Sequence, residues 1–274
     1  MTKAKSTKII TEIILWIFTL VVFIPIFFII INSLKSQGEV SGSLSIALPQ
    51  KFLFSNYLTV LSDGKMPQAF VNSFIYSGFS VVLTCLLSAL AAFIIVRRDT
   101  RMNKILYTLF LVGMIAPLNM VTTYYVMRTF GLVNTYHGLI LLYAASYMPF
   151  SILLYRGFVT NLPKSLDEAA IIDGAGPLRL FFTIVFPLLK PVTVTVAVLN
   201  FVNCWNDFMF PLYFTTDSHK WGVVLILYQY LGQFFSNKEL MFSAATLIVI
   251  PTLIIYLFGQ KYIISGMTAG AVKG

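Results

Sequence analysis

Long uncharged runs dominate this chain and limit what it can become. The windows free of Asp, Glu, Lys and Arg cover residues 13–34, 66–96, 105–127, 129–155, 192–206 with its flanks, and 240–260. In hydrocarbon every backbone N–H and C=O must be paired inside the segment, and about 20 apolar residues of helix cross the bilayer core. The pattern predicts an all-α integral membrane protein with about six transmembrane helices. The fifth is the shortest. It is expected to start near Pro187 and end near Leu212, with Lys190 reaching back to the interface. Residues 221–237 are uncharged but contain Gly222, Gln229, Gly232, Gln233 and Asn237, which suits an interfacial or external helix.

Charge supports this reading. Only 11% of the 274 residues are charged, against about 25% in a soluble domain. The net charge of +9 comes from residues placed singly or in short clusters between the apolar runs, an arrangement that does not suit nucleic acid. With six spans and the N-terminus inside, the inner side holds thirteen of the nineteen Lys and Arg residues, including Lys3, Lys5, Lys8, Arg97, Arg98, Arg101 and Lys104. That bias places both termini in the cytoplasm. The first apolar run continues to about Leu34 without an A-x-A cleavage site, so it is expected to remain as a first spanning helix.

Little in the chain suggests chemistry of its own. Cys85 and Cys204 lie inside apolar runs and have no partner at metal or redox spacing. His137 and His219 belong to no ligand cluster, and there is no G-x-S-x-G elbow. No G-x-x-x-x-G-K-[ST] loop occurs, so the chain shows no phosphate-cradling loop of that kind. Ser80, Thr84, Ser88 and Ala92 form a small-residue stripe along the second helix, a seam for close helix packing within the chain or against a second subunit. Pro25, Pro117, Pro149, Pro187 and Pro251 invite kinks.

The longest inner loop, residues 156–190, is the most structured. Ser165 is expected to cap a short helix, with Glu168 three residues later completing a capping box; Asp167 and Glu168 suit the positive end of the helix dipole. The helix runs through Ala169 and Ala170 to Asp173. Gly174 and Gly176 then end it, and Pro177 opens a second helix leading to Pro187. Leu166, Ala169, Ala170 and Asp173 fall at i, i+3, i+4 and i+7, which gives Leu166 and the two alanines a small docking face. So short a helix is marginal alone in water and needs a supporting surface.

The string Glu168-Ala169-Ala170, Gly174, Ile184 and Pro187 resembles the EAA loop of ABC-importer permeases, with Phe186 where that pattern has Leu. The tail from Gly266 to Gly274, with Thr268, Gly270 and Lys273, and the run Trp205-Asn206-Asp207-Phe208 resemble carbohydrate permeases related to the maltose-system subunit. The resemblance implies a type I importer fold in a bacterial cytoplasmic membrane. Residues 1–69 would form the first helix and external loop, 70–262 a permease core, and 263–274 a cytoplasmic tail. It also implies partners: a second homologous permease in a heterodimer, two ATPase subunits that hold ATP and magnesium, and an extracellular solute-binding protein. The chain itself would carry no cofactor and would not be an enzyme. The residues from Ser165 to Pro187 would couple to the ATPase, and the tail would reach toward it.

Asn200, Asn203 and Asp207 fall at i, i+3 and i+7 and predict a polar face on the fifth helix, either lining the solute pathway or bonding neighbouring helices. Two other functions fit a polytopic chain: an importer for a non-sugar solute such as glycerol phosphate, and an ion-driven secondary transporter. The latter is usually marked by an internal repeat and a buried ion site, and neither is visible here.

Overall fold

The computed structural model describes residues 2–42, 46–63, 65–116, 118–233 and 237–271, without the side chains of 2–7, 9, 41–42, 229–233 and 262–271. The described residues are helical and contain no strand. They form two compact units, 1–67 with 226–251, and 68–225 with 252–274.

The first unit is built on α1 (Thr2–Ser33), whose segment Ile10–Ser33 is long and apolar enough to span. Its aromatic and aliphatic side chains are exposed around the helix, Trp16 and Phe18 among them. A helix apolar on all sides and uncovered by protein is suited to lipid. Its last turn is tied down. Asn56 Nδ2, in α3 (Ser55–Ser62), donates to the carbonyls of Ser33 and Lys35 at 2.9 and 3.0 Å. Ser243 Oγ donates to the Ser33 carbonyl at 2.9 Å. Between α1 and α3 lies α2 (Gln37–Gly42), where Glu39 accepts from the Ser36 and Gln50 amides.

The second unit is organised around α4 (Lys65–Arg97) and α7 (Tyr136–Asn161). At about 1.5 Å per residue, the 33 residues of α4 make a rod of about 50 Å, longer than the hydrocarbon core, so its ends project. The small-residue stripe is fully used inside the chain: Ser80, Thr84, Ser88 and Ala92 are all buried. Ser80 and Ser88 donate to the carbonyls of Ile140 and Met148 on α7, at 3.3 and 3.4 Å. The apolar cluster beneath joins Ala89 and Ala92 to Ile152, Tyr155, Val192 and Val196. The last two belong to α10 (Lys190–Asn206), the straight part of the fifth span.

Among the described residues, four helices have the length and composition of a span: Ile10–Ser33, Lys65–Arg97, Tyr136–Asn161 and Lys238–Lys261. A fifth arises if Pro177–Leu188 and Lys190–Asn206, bent by 78°, count as one. The window 105–127, expected as one continuous span, is not a single helix. It splits into α5 (Arg101–Ile115) and α6 (Met120–Thr129). Ala116 is extended, as a residue before proline must be. Asn119 then caps α6, its Oδ1 accepting from the Val121 and Thr122 amides at 3.0 and 3.1 Å. These bonds satisfy donors that the break would leave orphaned.

The fifth span also differs from expectation. α10 stops at Asn206, Asp207 is extended, and a separate short helix α11 (Met209–Phe214) follows. The segment 221–237, expected as an interfacial or external helix, contains α12 (Val223–Gln233), whose 11 residues reach about 16 Å, too short to cross. The last helix, α13 (Lys238–Ala271), runs 34 residues, so Gly266, Thr268 and Gly270 lie on a continued helix and Lys273 lies outside the described residues.

Candidate functional site: the loop between the fourth and fifth spans

α7 ends where Leu162, held extended by the following Pro163, breaks the helical path. The chain then winds into α8 (Ser165–Ile172). The expected capping box does not form. Winding begins one residue earlier than expected: Lys164 takes the cap position, and its carbonyl accepts from the amides of Asp167 and Glu168 at 3.0 and 3.1 Å. Ser165 is therefore the first helical residue and caps nothing. Glu168 is exposed.

Asp167 holds the start of α8 instead. Its Oδ2 lies 2.6 Å from Arg97 Nε, and its Oδ1 accepts from Arg97 Nη2 at 3.4 Å. Arg97 also donates from Nη1 to the Leu162 carbonyl at 3.1 Å. One guanidinium thus fastens the end of α4 both to the exit of α7 and to the first turn of α8. The planar fork of arginine suits this; the single point charge of lysine does not.

The far end of α8 closes as predicted at Gly174, whose φ is +78°. The Gly174 amide donates to Ile171 O at 3.0 Å and the Ala175 amide to Ala170 O at 2.9 Å. This is the paired 5→2 and 6→1 bonding of a Schellman stop. Asp173 is the C-terminal cap residue. Gly176 has another role: its φ of −71° is ordinary, and it caps the next helix, which starts at Pro177.

That helix, α9 (Pro177–Leu188), is wound as a π-helix over Leu180–Val185. Its inner face is anchored: Leu180, Phe181 and Val185 are buried with Ala170 in the cluster formed by α4, α7 and α10. Ile184 and Phe186 pack against the same cluster, so the aromatic ring at 186 serves as core. The chain bends at Leu189 between Pro187 and Pro191, two residues that break the backbone ladder.

The expected docking face also needs correction. Only Ala170 departs from it, 4% exposed and turned into its own chain, while Leu166 and Ala169 are exposed as expected. Beside Leu166, the loop exposes Ile171, Ile172 at 85%, Leu178, Phe182 and Leu188. With 100° between successive residues, Ile172 sits about 160° from Ala170. Once Ala170 is placed inward, the wheel puts Ile172 outward. Two adjacent isoleucines on so short a helix were the available signal.

The polar face expected on the fifth helix is not assembled. Asn200 is buried and donates to Ser151 Oγ of α7 at 3.2 Å. Asn203 is exposed. Asp207 has left the helix and caps α11, accepting from the amides of Met209 and Phe210 at 3.1 and 3.0 Å and from Tyr143 OH at 2.9 Å. Asp207 relinquishes the i+7 position because the chain turns extended there. Among the described residues no group of His, Cys, Asp and Glu is placed to hold a metal.

The class is set by the fold together with the loop: a polytopic membrane permease with a rigidly mounted helix outside the spans. The fold matches a bacterial ABC transporter involved in the import of the acidic polysaccharide alginate, with a TM-score of 0.85, 23% identity, and coverage of 96% of this chain and 98% of that one. The family model for "binding-protein-dependent transport system inner membrane component" matches residues 84–269, and the chain belongs to that family. Similar proteins include the melibiose/raffinose/stachyose import permease MelC of Bacillus subtilis, 37% identical over 92% of each chain. Others are the multiple sugar-binding transport system permease MsmG of Streptococcus mutans, 35% identical over 93% of each, and the diacetylchitobiose uptake permease NgcG of Streptomyces coelicolor. NgcG is 32% identical over 95% of this chain and 86% of its own.

Proposed function

We propose that this chain forms one half of the pore of an ATP-driven importer for a sugar or oligosaccharide in a bacterial cytoplasmic membrane. The observation that carries the proposal is the mounting of α8: ion-paired at its start, glycine-stopped at its end, and presenting Ile171, Ile172 and Leu178 to whatever lies outside. Exposed aliphatic side chains on a rigid polar loop are a docking surface in search of a partner. The partner is an ATPase subunit, one of two, and it holds the ATP and magnesium. Residues Ser165 to Pro187 couple to it, and the stretch carrying Gly266, Thr268, Gly270 and Lys273 extends toward it. A second, homologous permease completes the pore, and an extracellular binding protein delivers the cargo. The sugar-related names of its relatives support the choice of cargo.

Mechanically, the two nucleotide states of the ATPase bind α8 in two positions. Because differential binding is what shifts a conformational equilibrium, the spans follow. Arg97 passes the displacement to α4, and the buried face of α9 passes it to α10. This chain provides the lever and half of the path; bond-breaking belongs to the partner. Proteoliposomes holding the assembled transporter test this. Uptake of radiolabelled raffinose or a related oligosaccharide should require internal ATP and the binding protein, and should continue with ion gradients collapsed. Uptake driven by an ion gradient without ATP would refute it.

A further inference from the structure

At the end of the bundle that carries the loop, α4, α5 and α7 leave a cavity of about 250 Å³ between them. Its lining is cationic. Arg98 follows α4, Lys104 stands in the first turn of α5, Arg156 lies near the end of α7, and Asp99 is the one acid among them. Arg156 is held in place: its guanidinium lies 4.4 Å over the Tyr107 ring, and Nη1 donates to Tyr107 OH at 3.4 Å. Asn103 braces the rim, donating from Nδ2 to the carbonyls of Ile94 and Arg98 at 3.3 and 2.8 Å. Lys104 sits 2.8 Å from Asp99, but both side chains are largely open to solvent, and so exposed a pair contributes little and exchanges readily.

Lys104 and Arg101 also border a second, adjoining hollow of about 260 Å³, whose remaining lining is Ile105, Thr108 and Leu109 on α5. No residue of α5 is buried, and Ile105 and Leu109 are at least half exposed. A cationic cavity at the end of spanning helices thus opens, at a shared lysine, onto an apolar groove along one of them. Basic pockets at that depth attract anionic headgroups, and a groove beside the pocket suits hydrocarbon.

We infer that this is a binding site for an anionic phospholipid. The phosphate sits among Arg98, Lys104 and Arg156, and an acyl chain lies along Ile105 and Leu109. Free phosphate would fill the cavity and leave the groove unused. The inference requires only that the chain spans a membrane, and it stands apart from the identity of the cargo and of the ATPase.

The test counts lipids kept by the purified, assembled transporter after exchange into equal amounts of phosphatidylglycerol and phosphatidylcholine with matched chains, read by native mass spectrometry. The wild type should keep phosphatidylglycerol in preference. The Arg98→Gln/Lys104→Gln/Arg156→Gln variant should keep several-fold less of it, and Arg98→Lys/Arg156→Lys should keep nearly all. Excess inorganic phosphate should not displace it. Should the triple variant fail to assemble, Arg98→Glu alone, at an exposed position, carries the same expectation of a several-fold loss. Equal retention of the two lipids, unchanged retention in the variants, displacement by phosphate, or lipid seen only once the ATPase is stripped away would each overturn the site; the last would give the cavity to a protein surface.

Discussion

Arg97, the last residue of α4, and Asp167, in the first turn of α8, meet at 2.6 Å with both side chains mostly shielded from water. This contact and the Arg97 bond to Leu162 O hold the loop helix to a spanning helix. Arg97→Ala should cost about 1.5–3 kcal/mol of local stability, the scale of hydrogen bonds to a charged group. Uptake should fall much more than basal ATP hydrolysis. Arg97→Lys should recover only part, because it lacks the fork. Parallel uptake and ATPase assays in proteoliposomes check this.

At Gly174 the cost of substitution should be backbone strain alone. Its φ is +78°, yet a Cβ there would meet nothing within 4 Å. Strain of this kind costs about 1–2 kcal/mol for an ordinary residue and less for Asn. The expected order of transport activity is Gly, then Asn, then Ala, then Val. Gly176→Ala, at an ordinary φ, should be nearly silent. Uptake rates across the series give the order.

Gly259 makes the opposite case. A Cβ at Gly259 would collide with the Val198 side chain of α10. Gly259→Ala should therefore destabilise by about 1–3 kcal/mol, the usual cost of overpacking. Adding Val198→Ala should restore most of it. Thermal unfolding of the single and double variants in detergent reads the compensation.

Glu39 predicts a pH effect outside the spans. The Gln50 amide, then the Ser36 amide and hydroxyl, hold its carboxyl below the usual carboxylate range. A depressed folded pKa stabilises above the unfolded value, and that contribution is lost as pH falls through the folded one. Amide protection at Ser36 and Gln50 should persist at neutral pH and fade only at pH values below the usual carboxylate range. In Glu39→Gln it should be weak throughout. Hydrogen exchange at several pH values decides.

Much of this architecture was legible in the sequence because solvent dictates it: the apolar window 66–96 became Lys65–Arg97 nearly to the residue, and the window 129–155 became Tyr136–Asn161, displaced toward the C-terminus by about two turns. Gly174 was legible because few residues tolerate its turn. The rest depended on tertiary choices. Asp167 reads equally well as a helix-dipole residue, and only the fold brings Arg97, seventy positions earlier, against it. Asn200, Asn203 and Asp207 share a face only while the helix lasts, and it ends at Asn206. Ala170 turned inward because the core beneath α8 accepts a methyl group there, which left the isoleucines beside it to face out.

The central claim is that this outward face docks on an ATPase. Cys85 and Cys204 are buried, so a thiol added by Ile172→Cys would be the reactive one among the described residues. A short bifunctional cross-linker applied to the assembled transporter in membranes should join residue 172 to the ATPase subunit, with a yield that changes when ATP is bound. Failure to cross-link to any ATPase subunit, while the Ile172→Cys transporter still takes up sugar, would contradict the account.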